Sequence, residues 1–148
     1  VSAAPQDRLV RLYQEAIRRH AAEPTGFRQA IEPTHRHEAW NPQCGDRVEI
    51  LLRLSGETIE AAAFEGEACA ICLASASILC GIAPGQPAVR LQQLHDALSD
   101  ALRAEETTDG DDLRLQPELR PLLGVRPYPS RIRCATLPWI AASNALTD

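Results

Sequence analysis

The chain has no lysine, no methionine and only six aromatic residues (two each of Phe, Trp and Tyr) among its 148 residues. With lysine absent, all fifteen basic residues are arginines, outweighed by twenty Asp and Glu for a net charge of −5. Nucleic-acid binding draws on clustered positive charge, so this balance argues against a broad phosphate-binding surface and against a nucleic-acid partner. Apolar runs are short as well. None nears the ~20 residues that span a bilayer, and no membrane partner is expected. Val1-Ser2-Ala3-Ala4-Pro5 lacks the basic flank and apolar run of a secretory signal, so the chain reads as cytoplasmic. No segment repeats and none is low in complexity. The small hydroxyl run Ser75-Ala76-Ser77 has no glycine-flanked nucleophile elbow around it, and close packing explains it better than catalysis.

Against these absences stand five cysteines. An odd number in a cytoplasmic chain fits poorly with a closed set of disulfides and invites metal or sulfur chemistry. The length and ordinary composition suit one domain over residues 1–148. Such a domain buries roughly 70% of its unfolded surface and needs no disulfide staples.

Hydrophobic periodicity gives an α+β reading. Leu9, Tyr13, Ala16 and Ile17 recur at helical spacing over residues 6–20, and Pro24 and Gly26 end that helix. Residues 27–40 contain Pro33 and show no period, so they read as irregular. Val48, Ile50, Leu52 and Leu54 alternate with Arg47, Glu49 and Arg53, the pattern of a half-buried strand. A turn at Ser55-Gly56-Glu57 leads to a second strand over Thr58–Phe64. Gly66 interrupts it, and a short third strand is expected to reach Cys69. The period then becomes helical: an apolar helix over residues 71–82, a leucine stripe (Leu91, Leu94, Leu98, Leu102), an acidic loop from Glu105 to Asp112, a short helix over Pro117–Leu123 and a last helix from Ser130 to Ala145. The expected class is a small three-stranded antiparallel sheet packed by helices that follow it.

Three cysteines fall at element boundaries. Cys44-Gly45-Asp46 follows Asn41-Pro42 on a turn, so a thiolate and a carboxylate two residues apart can address one ion. Cys69 stands where a strand passes into a helix, whose dipole favours a thiolate. Cys134 opens the last helix near Arg131 and Arg133, whose charges act in the same direction. Three sulfurs and one oxygen suit tetrahedral zinc, and mostly thiolate ligation also suits a [2Fe–2S] cluster. The bland alternative is buried cysteine acting as a small hydrophobe, and it is the preferred reading for Cys72 and Cys80. Cys69-Ala70-Ile71-Cys72 spells CxxC, but it has no second pair and no thioredoxin-like surroundings. His35 and His37 lie close enough to Cys44 to be candidate ligands, although solvent exposure is the commoner fate of such a pair. His20 ends the first helix, where a cation complements the dipole, and His95 beside Asp96 reads as a surface residue.

Three segments together resemble the IscU/SufU/NifU iron–sulfur assembly family: Asn41-Pro42-Gln43-Cys44-Gly45-Asp46, then Phe64 to Cys69 with Ala74-Ser75-Ala76-Ser77, then Arg131-Ile132-Arg133-Cys134-Ala135-Thr136-Leu137. Ile17 to Gly26, with His20 and Pro24, is similar to the family's first-helix exit. Arg133 stands where the IscU branch has histidine, and the polar stretch from Glu105 to Glu118 resembles the insertion of the SufU branch. The resemblance implies the U-type scaffold fold, with zinc held by Cys44, Asp46, Cys69 and Cys134. It also implies that Cys44 accepts persulfide sulfur from a cysteine desulfurase and passes it to apoprotein or assembly-complex recipients. Arg131 would steady the thiolates or the partner contact. The alternative within the family is a scaffold that transiently builds and transfers a [2Fe–2S] cluster. Ala68 in place of a glycine, Cys72 in place of a serine and the additional Cys80 are departures from the pattern.

Overall fold

The even-numbered residues Asp46, Val48, Ile50 and Leu52 are buried and face one side of their strand, and this face organises the molecule. The structure is a computed structural model that describes residues 5–104 and 115–147, with side chains from residue 8 onward. Helix α1 (Pro5–Ala22) precedes strands β1 (His35–Asn41), β2 (Asp46–Ser55) and β3 (Thr58–Glu67). Helices α2 (Ala70–Ile82) and α3 (Ala88–Arg103), a 3-10 helix (Pro117–Val125) and α4 (Pro129–Thr147) follow. The strands form an antiparallel meander in the order β1-β2-β3. The acidic loop expected over Glu105–Asp112 lies outside the described residues.

Two strand expectations need correcting. Residues 35–41 are β1, not irregular chain. Its inward positions, paired with Leu52, Ile50, Val48 and Asp46, are His35, His37, Ala39 and Asn41, so no apolar alternation announces a strand. The separate third strand before Cys69 does not exist. β3 runs on through Gly66 to Glu67, with Gly66 opposite Val48, and Ala68–Cys69 is the link to α2. The sheet therefore keeps three antiparallel strands with different boundaries.

Helix α4 covers the inner face of β1 and β2, α2 lies between α4 and α1, and α3 flanks α4. Leu91, Leu94, Leu98 and Leu102 are all buried, as their spacing predicts. Each such side chain contributes roughly 2 kcal/mol by leaving water. Ser75 and Ser77 are more than small residues. The Ser75 hydroxyl donates to the Ala135 carbonyl and accepts from Trp139 Nε1 at 3.1 Å, joining α2 to α4. Ser77 Oγ accepts the Thr25 N–H at 2.8 Å and bonds His20 Nδ1 at 2.8 Å. His20 is thus no helix-end cation: burial, then the charge of Arg19, lowers its pKa and favours the neutral ring. On the outer face Arg47 bridges Glu38 and Glu65, each at 2.9 Å, across all three strands. These groups are solvated, so they oppose slippage and aggregation more than they add stability.

Cys72 and Cys80 are buried in the core, and Cys80 lies beneath Gly26, where an added Cβ would come within 2.9 Å of its sulfur. Burial alone pushes the Cys80 thiol from an ordinary value of 9.0 up to about 12, and burial raises Cys72 as well. A folded-state pKa above the unfolded one means that the native thiol keeps a proton the unfolded chain has lost. Stability is therefore full below the unfolded pKa and falls as pH rises above it, by about 1.4 kcal/mol per unit for each such group. Because the chain has no lysine, few other groups titrate in that range. Melts of metal-free protein between about pH 8 and about pH 10.5 are expected to fall steeply above the ordinary thiol pKa. Cys80→Ala should flatten that slope, and an unchanged slope would show that its thiol is not protected by burial.

Candidate metal centre

The β1–β2 connection is four residues, Pro42 to Gly45, closed by the Asn41 carbonyl. That oxygen accepts the Cys44 N–H at 3.2 Å and the Gly45 N–H at 2.8 Å. Gly45 takes φ 73°, which lets the chain turn directly into β2. Cys44 is consequently exposed at the hairpin tip, whereas Asp46, the first residue of β2, is 3% exposed.

The Asp46 carboxylate reaches across to the start of α2. Its Oδ1 accepts the Cys69 N–H at 2.8 Å, and its Oδ2 lies 3.6 Å from Cys69 Sγ. Cys69 is the N-cap residue of α2, in extended conformation, and its side chain makes no capping bond. Its sulfur is thus left to the cluster. Cys134, in the second turn of α4, is buried, with its sulfur 3.9 Å from Cys44 Sγ and 3.8 Å from the Ser130 carbonyl. One ligand atom each from Cys44, Asp46 and Cys134 lies within 4.8 Å of the other two. Cys69 joins this group through Asp46. A hairpin, a strand end, a helix N-terminus and a second helix therefore converge, and no two of the three cysteines share an element.

Two of the separations have the length of edges of a tetrahedral zinc site, although Cys69 is not in the set whose ligand atoms all lie within 4.8 Å of one another. Two thiolates ~2.3 Å from zinc stand about 3.8 Å apart, and a thiolate and a carboxylate oxygen about 3.5 Å apart. The Cys44–Cys134 and Cys69–Asp46 separations, 3.9 Å and 3.6 Å, match those edges. Charge makes the same point. Burial, then hydrogen bonding to Asp46 and the charge of Cys69, pushes the Cys134 thiol well above its ordinary range. The expectation that Arg131 and Arg133 lower it is overturned, because both arginines are exposed while the sulfur faces inward toward acidic groups. A divalent cation is the natural replacement for the proton held there.

His35 and His37 do not enter the cluster: both lie along β1, and His35 Nδ1 bonds Thr34 Oγ1 at 2.8 Å. His95 is half-buried and bonds Ser143 Oγ at 3.1 Å. Arg131 lines a groove of ≈ 660 Å³ with Tyr13, Ile17, Arg18, Ile71 and Tyr128. The groove reaches the centre's edge at Ser130, whose carbonyl faces Cys134. Asn41 was read from sequence only as a turn former, yet it is buried directly opposite Asp46.

The profile of the family described as NifU-like N terminal domain matches residues 12–112. The chain belongs to that family. It is 34% identical to the zinc-dependent sulfurtransferase SufU of Bacillus subtilis (strain 168), over 91% of this chain and 89% of that relative. It is 29% identical to the iron–sulfur cluster assembly scaffold protein IscU of Streptococcus pyogenes serotype M1, over 94% and 85%. The fold superimposes on a crystal structure of a NifU-like N-terminal protein from Brucella abortus with TM-score 0.77 at 22% identity, covering 91% of this chain and 92% of that one. A crystal structure from Fervidobacterium islandicum AW-1, described as a putative iron–sulfur cluster assembly scaffold protein for the SUF system, gives TM-score 0.75 at 25% identity, covering 89% and 94%. The U-type fold expected from the motifs is thus the fold observed.

Proposed function

We propose that the protein works in iron–sulfur cluster assembly as a zinc-bound sulfur acceptor, taking persulfide sulfur from a cysteine desulfurase onto Cys44. The observation that carries this reading is the contrast within the cluster: Cys44 is exposed, and its sulfur lies 3.9 Å from that of the buried Cys134. Cys44, Asp46, Cys69 and Cys134 would hold the metal, and bound zinc would keep their thiols deprotonated at neutral pH. The Cys44 thiolate attacks the outer sulfur of the partner's persulfide. The S–S bond breaks, the sulfur stays on Cys44 as a new persulfide, and the partner regains its thiolate. Asp46, Cys69 and Cys134 are held by the sheet and two helices, so they can stay in place while the hairpin tip moves. Arg131 and Arg18 put positive charge along an otherwise largely apolar groove beside the centre. Arg131 is accordingly read as a partner contact rather than as a group lowering the Cys134 pKa. An apoprotein or assembly complex then receives the sulfur.

Likeness to the IscU scaffold proteins favours a second reading, in which the same residues hold a [2Fe–2S] cluster as cargo. Metal analysis of anaerobically purified protein separates the two. About one zinc per chain and no visible absorption is the expected result. Mass spectrometry after incubation with a desulfurase and cysteine should then find one added sulfur atom on Cys44. Iron with acid-labile sulfide and visible charge-transfer bands would favour the scaffold instead. Absence of both metals from protein never exposed to chelator would count against both readings.

A further inference from the structure

Asn41 ends β1 opposite Asp46, the first residue of β2. Directly paired residues of an antiparallel ladder project to the same face, so the two side chains are neighbours on the side covered by α4. Asn41 is 1% exposed, and neither its Nδ2 nor its Oδ1 has a hydrogen-bond partner among the described residues. Its backbone carbonyl closes the Cys44 hairpin. Burying an amide without a partner is unfavourable, and an apolar side chain of similar size would avoid that cost.

Its surroundings give the amide a use. Both oxygens of Asp46 already face Cys69, one toward its N–H and the other toward its sulfur. The other acceptors of the cluster are the sulfurs of Cys44, Cys69 and Cys134. A neutral thiol is a weak acceptor, whereas a thiolate is charged and forms a much stronger bond with an N–H. The amide stands at the ladder pair that opens the Cys44 hairpin, beside these ligands and with no other partner among the described residues.

We propose that Asn41 is a positioning residue of the metal centre, its side-chain N–H donating to a ligand thiolate in the loaded site. The inference rests on the metal-centre reading above. A group that hydrogen-bonds a metal ligand typically changes metal affinity by about 10- to 100-fold when removed. It also draws electron density from the sulfur, which raises the energy of sulfur-to-metal charge transfer.

Native protein, Asn41→Leu and Asn41→Ala are to be titrated with Co²⁺ in competition with a chelator, and metal-free samples melted in parallel. The Leu variant is expected to melt at or above the native temperature without metal, because it buries no unpaired amide. It should nevertheless bind Co²⁺ about ten-fold or more weakly, with its charge-transfer band at longer wavelength. Native affinity and an unmoved band in a folded Leu variant would overturn the role of Asn41 and leave the centre standing. Should Leu prevent folding, the Ala variant decides by the same two readouts. If the native chain itself binds no cobalt, the centre fails and this inference fails with it.

Discussion

Gly66→Ala is expected to lower the stability of the metal-free protein by about 3 kcal/mol and to weaken metal binding at the same time. Gly66 lies near the end of β3 at φ 154°, outside the range that side-chain-bearing residues adopt readily. A Cβ there would collide with the Arg47 carbonyl oxygen and come within 2.9 Å of Val48 Cα, both backbone atoms of β2. Rotating a side chain cannot relieve this, so the strands must separate where they now meet. They meet between Asp46 and Cys69, and the Asp46 carboxylate bonds the Cys69 N–H at 2.8 Å across that junction. Strain from the backbone and strain from overpacking each cost about 1–3 kcal/mol, which sets the estimate. Denaturant unfolding gives the first quantity and chelator competition with zinc the second. A stability loss under about 1 kcal/mol would show that the strand ends relax freely. A full loss with unchanged zinc affinity would separate the sheet from the centre.

Gly66 also illustrates what the sequence conveyed and what it concealed. Glycine after an alternating run read as a break, because period and propensity report the usual case. Here the strand continues, since only glycine allows β3 to approach β2 so closely. β1 was invisible for a different reason. Its inner face carries His35, His37, Ala39 and Asn41, and no apolar alternation survives where a strand packs polar and small residues under a helix. Elements that bury leucine, isoleucine and valine were legible: β2, α2, α3 and the body of α4 follow their patterns to within a few residues. Register between β1 and β2 could not be read, and with it the pairing of Asn41 with Asp46.

Of the four candidate ligands read from the sequence, the fold brings ligand atoms of Cys44, Asp46 and Cys134 within 4.8 Å of one another, with Cys69 reached through Asp46. Cys44, Asp46, Cys69 and Cys134 stood out because turn and helix-boundary positions are where cysteine is least expected as a core filler. Their electrostatics were not legible. Arg131 and Arg133 flank Cys134 in sequence, but a helix sends them outward while the sulfur turns toward Asp46 and Cys69. Neighbours along the chain predicted a lowered pKa, whereas burial, then Asp46 and Cys69, raises it. The same limit applied to His20, whose partner Ser77 is 57 residues away.

Cys44→Ala should abolish sulfur acceptance while leaving the metal-free fold within about 0.5 kcal/mol of native, whereas Asp46→Ala should lower the stability of the metal-free fold. Cys44 is exposed at a hairpin tip, and the hairpin is closed by backbone bonds to the Asn41 carbonyl, which survive the substitution. Three donors would remain, so zinc should still bind, less tightly and with its fourth position open. Asp46 is 3% exposed and is the acceptor that holds the N-terminus of α2 against the sheet. Removing it orphans the Cys69 N–H, at about 1–3 kcal/mol, and takes the only oxygen from the donor set. The pair of variants separates a sulfur relay from a purely structural zinc site. In a relay, Cys44→Ala abolishes persulfide formation but keeps the melting temperature of the metal-free protein. In a structural site the main effect of Cys44→Ala is lost zinc-dependent stabilisation, and sulfur acceptance is absent from the native protein too. Persulfide found on the Cys44→Ala variant at native yield would move the acceptor to Cys69 or Cys134. That outcome would contradict the assignment by exposure, since both sulfurs lie deeper than that of Cys44.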